Sequence, residues 1–381
     1  MIDFKIDNPT VLHFGKDVIN KLGKVVSKYG KKVLFVYGKG SIKSNGIYDS
    51  VMEQLQNIQA DITEFGGIKA NPIVEDVNDA VELGREKDVD VIVAVGGGSV
   101  IDSAKIISIT IPLEASAWRV MIQMAKPEKA IPVISVLTLA ATGTEMNQFA
   151  VLQSDQAKKK LGIGYKQMYP KHSFLNPEFT YTVPKNYTAY GIVDLIAHAM
   201  ENYFGKGEAT LSDRFVFAVI KEAVEYGPQL LNNLQDYGLR EKIMYASTNA
   251  LNGLTMYGRE SGEWGVHDMG HVISVLFDTP HGATLSVVYP AWLKHHKEKI
   301  SDRITELGKA VFDVDNADET ISKLEAFFRS IESPVRLQEA GITENDRNEL
   351  EATMIKNKVN GMHHKLERED VEKIIDLMYA D

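Results

Sequence analysis

Between Val11 and about Thr182, short blocks of consecutive apolar residues alternate with stretches whose apolar positions recur every three or four residues. KKVLFVYG, DITEF, VDVIVAV and AIPVISVLT are the blocks, and each predicts a strand. SIKSNGIYDSVMEQLQNI, VEDVNDAVELGREKD and SVIDSAKIISI carry the helical period. Such alternation predicts a parallel sheet covered by helices, and near-continuous apolar strands are what a sheet buried on both faces requires. Beyond Pro184 the strand pattern stops. TAYGIVDLIAHAMENYF, LSDRFVFAVIKEAVEYGPQLLNNL, YGLREKIMYASTNALNGLTM, DETISKLEAFFRSI and REDVEKIIDLMYA all place apolar residues three and four apart. The expected organisation is an α/β nucleotide-binding domain over residues 1–182 and an all-helical domain over 183–381, with no internal repeat.

Composition narrows the classes of function. A chain of 381 residues with 44% apolar content can bury a sizeable core, enough for roughly two or three domains. A net charge of −10 argues against nucleic acid as a partner, because phosphate binding needs clustered Lys and Arg. The absence of cysteine excludes disulfides and thiolate metal sites. The N-terminal stretch MIDFKIDNPTVLHFGK has neither the basic start nor the apolar run of a signal peptide, and no apolar stretch reaches membrane-spanning length. A cytoplasmic globular protein with no membrane partner is the expectation.

VDVIVAVGGGSVIDSAK reads as strand, glycine turn, helix. Gly96, Gly97 and Gly98 let a ligand approach the backbone closely. Ser99 is expected as the N-cap, with Asp102 three residues on as a capping-box variant. The unpaired N–H groups and positive dipole end of such a helix suit a pyrophosphate. The stretch is not G-x-G-x-x-G, so it is not the standard dinucleotide fingerprint. A tight turn with nothing bound is the competing reading. An earlier turn places Gly38, Lys39, Gly40 and Ser41 after the first strand. No acidic residue stands there to take a ribose diol. Lys39 would favour a 2′-phosphate by charge, unless it simply faces water.

In GIVDLIAHAMENYF, Asp194 and His198 are four apart and share one helix face. Such a pair alone is more commonly a buried hydrogen bond. GEWGVHDMGHVISVLFDTPHGATL adds His267, His271 and His281. Together these form an O/N donor set for a divalent ion such as Zn²⁺ or Fe²⁺. Spacing alone allows either His267 or His271 as the ligand; the other could hydrogen-bond the substrate or relay a proton. His295 and His296, in LKHHKEKI, read as a solvated face, and His363 and His364 as a late polar loop.

Five ordered motifs carry a family resemblance: GGGSVIDSAK at 96–105, TLAATGTEMN at 138–147, DLIAH at 194–198, HDMGH at 267–271 and PHG at 280–282. The chain resembles the iron-containing (group III) alcohol dehydrogenases along essentially its whole length. Within that family it is similar to the NADPH-dependent butanol dehydrogenases and broad-substrate aldehyde reductases. The resemblance implies a dehydroquinate synthase-like fold, with an NAD(P)-binding α/β domain and a C-terminal helical domain that holds one divalent metal in the cleft between them. It implies Asp194, His198, His267 and His281 as ligands and His271 as a non-ligand histidine near the nicotinamide. It places Gly97, Gly98 and Ser99 at the pyrophosphate, with Asp102 towards the nicotinamide. Thr138, Thr142, Asn147 and Lys160 would line the cofactor, with Asn71 near the adenosine ribose.

Two positions depart from the family pattern. Thr144 stands where serine is usual, which keeps the hydroxyl, and Lys39 enters a turn that is usually glycine and serine. The implied reaction is reversible hydride transfer between NADP(H), with NAD(H) as the alternative, and a short-chain primary alcohol or aldehyde. A homodimer is expected. Trp264, Phe149 and Met146 are candidates for an apolar substrate wall, or equally for ordinary core. Glycerol dehydrogenase-like and dehydroquinate synthase-like enzymes share the architecture, but the latter needs basic residues around a polyanion, and HDMGH supplies none. A nucleotide- or metal-binding protein without turnover is the rival of a different class.

Overall fold

Every residue of the run VIVAVG is buried, and it becomes a central strand. The computed structural model describes residues 1–380. Eight strands form among them: β1 (Val11–Phe14), β2 (Lys32–Gly38), β3 (Asp61–Ile68), β4 (Val91–Gly96), β5 (Val133–Leu137), β6 (Phe149–Ser154), β7 (Lys159–Gly164) and β8 (His172–Leu175). Six of them make one sheet in the order β1-β8-β5-β4-β2-β3, with every neighbouring pair parallel. Alternate residues feed two cores. Leu34, Val36, Ile92 and Ala94 pack on one face with the helices Val74–Glu86 and Gly98–Thr110. Val33, Phe35, Val91 and Val93 pack on the other with Leu22–Val26 and Ile47–Asn57. Two-sided burial explains why the strands read as unbroken apolar runs.

The sheet holds the α/β part of the chain, one compact unit made of Asp7–Val183 with Leu234–Met244. The other unit comprises Met1–Ile6, Pro184–Asn233 and the chain from Tyr245 onward. Two local expectations change in the α/β unit. The helical stretch over 41–58 is broken into Ser41–Ser44 and Ile47–Asn57, because Gly46 takes a left-handed conformation at φ 79°. Ser99 is not the N-cap of its helix. Gly97 is, and the Ser99 hydroxyl donates instead to the Ala70 carbonyl. The antiparallel hairpin β6–β7 also forms, and the sequence pattern does not single it out.

The second unit is helical. Its principal helices are Lys185–Tyr203, Thr210–Asn232, Gly265–Phe277, His281–Phe312, Ala317–Ser330, Arg347–Asn357 and Arg368–Tyr379. Tyr203, Tyr289 and Trp292 are fully buried in its core. LKHHKEKI lies within His281–Phe312, and it is not a solvated face. His296 is 1% exposed, with its ring 4.4 Å from Trp292 and 5.3 Å from His364. Neither ring nitrogen has a hydrogen-bond partner among the described residues. Burial, followed by the neighbouring His295 and His364, lowers the His296 imidazole to about 3.

This burial has a consequence in acid. The unfolded chain takes up a proton near the ordinary histidine value, while the native ring stays neutral until about pH 3. Stability from this group is therefore present above about 6.5 and lost as pH falls towards 3, by on the order of 1 kcal/mol per pH unit. His296→Leu is expected to flatten the acid side of a plot of urea midpoint against pH. An unchanged slope between pH 6 and 4 would show that His296 does not titrate in this way.

Candidate metal centre and nucleotide turn

Asp194 and His198 stand one turn apart on Lys185–Tyr203, and His267 and His271 one turn apart on Gly265–Phe277. His281 is the first residue of its helix, after Pro280 as N-cap. Gly282 allows that start to press against the first helix, since a Cβ there would lie 2.1 Å from the Tyr190 carbonyl oxygen. One ligand atom from each of Asp194, His267 and His281 falls within 4.8 Å of the others. His267 Nε2 and His281 Nε2 are 3.9 and 3.7 Å from Asp194 Oδ1. His198 lies outside that mutual group, but its Nδ1 is 3.5 Å from the same carboxylate oxygen. His271 is also outside it, its ring 5.3 Å from that of His281 and 6.4 Å from that of His267.

The chemistry of this set fits a divalent cation. His198 Nδ1 and His267 Nε2 are buried and have no hydrogen-bond partner among the described residues. Burial, then the neighbouring His267, holds the His198 imidazole well below its usual range, so it is neutral and able to coordinate. Leaving two such buried ring nitrogens, His198 Nδ1 and His267 Nε2, without a hydrogen-bond partner among the described residues is costly, and a cation beside the Asp194 carboxylate would satisfy both. Trp264 stands edge-on to His267 at 5.4 Å, whereas Phe149 and Met146 belong to the α/β unit.

In the α/β unit, the strand order reverses between β2 and β4, whose C-terminal ends lie side by side with Tyr37 opposite Val95. Ligands of open α/β sheets bind at such a switch point. The turns there are Gly38–Ser41 and Gly96–Ser99, and no side chain caps the helix that begins at Gly98. Its first amides are thus available to an anion. Lys39 is exposed at the end of β2. Thr138 donates its backbone N–H to Gly96 O at 3.0 Å, which seats it against the glycine turn. Thr142 Oγ1 accepts the Thr144 N–H at 3.2 Å. Asn71 and Lys160 are paired, Nζ donating to Oδ1 at 2.9 Å.

Asp102 is tied at both oxygens. Oδ1 accepts from the Thr144 hydroxyl at 2.5 Å and Oδ2 from the Val151 N–H at 2.9 Å. Burial raises its carboxyl above the usual range, against the pull of Lys105. Lys105, absent from the sequence-derived site, is fully buried. Its ammonium donates to Thr144 Oγ1 (2.7 Å), Asn147 Oδ1 (3.1 Å) and Phe149 O (2.8 Å). Burial lowers it to about 8, with the Asp102 charge opposing. Glu201 is also absent from the sequence-derived set. It lies at i+7 from Asp194, on the face that carries Asp194 and His198, and that spacing is the signal that points to it.

The profile described as "Iron-containing alcohol dehydrogenase" matches residues 9–177, and "Fe-containing alcohol dehydrogenase family, C-terminal" matches 188–379. The chain belongs to the iron-containing alcohol dehydrogenase family. Among curated members it is 38% identical to NADH-dependent butanol dehydrogenase B of Clostridium acetobutylicum, over 90% of each chain. It is 32% identical to the NADPH-dependent aldehyde reductase YqhD of Escherichia coli, over 97% of each. Among solved structures, NADH-dependent butanol dehydrogenase A of Thermotoga maritima superposes with a TM-score of 0.96 at 35% identity, covering 99% of both chains. The fold is therefore the family's, a parallel-sheet N-terminal part and a helical C-terminal part. No helix among the described residues is long and apolar enough to cross a membrane.

Proposed function

We propose that this chain is an NAD(P)(H)-dependent, metal-dependent alcohol dehydrogenase and aldehyde reductase of short-chain primary substrates. The observation that carries the reading is the convergence of Asp194, His267 and the half-buried His281 on one point, with His198 beside the same carboxylate. Asp194, His198, His267 and His281 would hold one divalent ion, Fe²⁺ or Zn²⁺, since the O/N donor set suits both. When bound, the metal supplies Lewis-acid polarisation of the substrate oxygen and the nicotinamide supplies the hydride chemistry. The chain's own residues position and shield. The uncapped turn at Gly97, Gly98 and Ser99 would receive the pyrophosphate. Asp102, Thr138, Thr142, Asn147, Lys160 and Asn71 would shape the cofactor platform. His271, one turn beyond His267, would carry the proton.

Purified protein with butanal and NADPH or NADH, with and without a chelator, tests this. Consumption that the chelator stops is expected, and no turnover of any short aldehyde by fully metallated protein would remove the reading. Preference for NADP(H) rests on Lys39, the exposed cation in the turn after β2, a turn whose own residues Gly38–Ser41 include no carboxylate. Relatives named for NADH and for NADPH both occur. Lys39→Asp is expected to weaken NADPH by about tenfold, the scale of one charge-assisted contact, with little change for NADH. Equal effects on the two cofactors would place Lys39 in water.

A further inference from the structure

The carboxylate of Glu201 is fully buried and holds one stretch of backbone and one imidazole at once. Oε2 accepts the Trp264 N–H at 2.7 Å, and Oε1 accepts the His267 N–H at 3.0 Å. The same Oε1 lies 2.8 Å from His267 Nδ1. A carboxylate that already accepts two amide N–H groups meets Nδ1 as a third acceptor contact, so Nδ1 must carry the proton. In the tautomer with that proton the lone pair lies on Nε2, the atom 3.9 Å from Asp194 Oδ1 that has no hydrogen-bond partner among the described residues.

We propose that Glu201 is a positioning residue for the metal centre, fixing His267 as the tautomer whose Nε2 coordinates. The inference rests on the assignment of His267 as a ligand. Two further facts fit it. Trp264 sits in the left-handed region at φ 65°, an uncommon place for a bulky residue, and its N–H is the one Glu201 Oε2 holds. The helix carrying His267 begins at the next residue and has no cap from its own N-cap side chain. Glu201 therefore sets the start of that helix and the ring orientation together. It reaches both from the helix that supplies Asp194 and His198, so three contributions to the centre share one rigid element.

The test uses metal-stripped full-length protein and titration with Co²⁺, followed by its visible absorption, and with Zn²⁺ against a competing chelator. Glu201→Gln keeps the side chain's shape but removes its charge. It is expected to weaken both ions by 10- to 100-fold, the usual effect of losing an outer partner of a ligand histidine, and to alter the cobalt bands. Thermal melting of the metal-free proteins, measured in parallel, reports the helix-start role separately. A lower melting temperature with unchanged metal affinity and cobalt spectrum would overturn the proposal. If the variant does not fold, ¹⁵N ring shifts of the metal-free wild type decide, with His267 assigned by its loss in His267→Ala. A proton on Nδ1 is expected, and a proton on Nε2 overturns the inference. A wild type that binds neither ion would instead sink the metal-centre reading, while the tautomer result would still stand by itself.

Discussion

His267→Ala is expected to leave the protein folded but unable to retain a metal ion, with activity lost accordingly. The ring is one of three groups whose ligand atoms lie within 4.8 Å of each other, and its Nε2 has no hydrogen-bond partner among the described residues. Removing it leaves Asp194, His198 and His281, and it strips Glu201 Oε1 of its ring partner. The loss should exceed the 10- to 100-fold typical of outer partners, because a direct ligand is gone. Metal analysis of the purified variant, beside wild type handled identically, is the measurement. A variant that kept one ion per chain and the wild-type rate would show that the ligand assignment is wrong. His271→Ala serves as the contrast. It lies outside the mutual group and should retain the ion while changing the rate and its pH dependence.

How much of this was legible in sequence depends on the range of the interaction. Strands β2, β4 and β5 declare themselves because burial on both faces makes them almost wholly apolar, with Ser135 the one buried polar residue inside β5. The hairpin β6–β7 does not, since KKLGIG opens with two lysines. Lys160 is buried there, and Asn71, 89 residues away, accepts a hydrogen bond from its ammonium. The glycine turn was readable as an anion seat, but its detail was not. Ser99 is a good N-cap by type, yet Ala70 O from another loop captures its hydroxyl and the cap passes to Gly97. The sequence around His296 points to solvent because Lys294, Lys297 and Lys299 surround it, while Trp292, one turn back, packs against it in space. The donors proposed for the metal centre are readable in the sequence as residue types and spacings. Spacing could not choose between His267 and His271, and the mutual distances place His267, not His271, with Asp194 and His281.

Lys105→Met should be the most destabilising single change considered. Its ammonium is wholly buried and joins three acceptors on the 144–149 turn, two of them side chains. Thr144 in turn donates to Asp102, so the cation, the hydroxyl and the carboxylate form one chain of charge and hydrogen bonds. Methionine fills the stem's volume but leaves the Asp102 carboxylate without the cation that offsets its burial. Removing one partner of a buried pair costs about 3–5 kcal/mol, more than the pair itself contributes. Asn147 Oδ1 would retain only the Phe149 N–H, and the turn expected to line the cofactor would loosen. The melting temperature should fall by on the order of 10 °C. Cofactor affinity should fall with it, while metal affinity in the helical unit holds. Thr144→Val, which breaks the middle link and leaves both charges in place, should lose less stability than Lys105→Met while weakening the cofactor in the same direction. A Lys105→Met protein that melts with wild type and binds cofactor equally well would mean that the buried ammonium is dispensable. The 144–149 turn would then owe its shape to the hairpin alone.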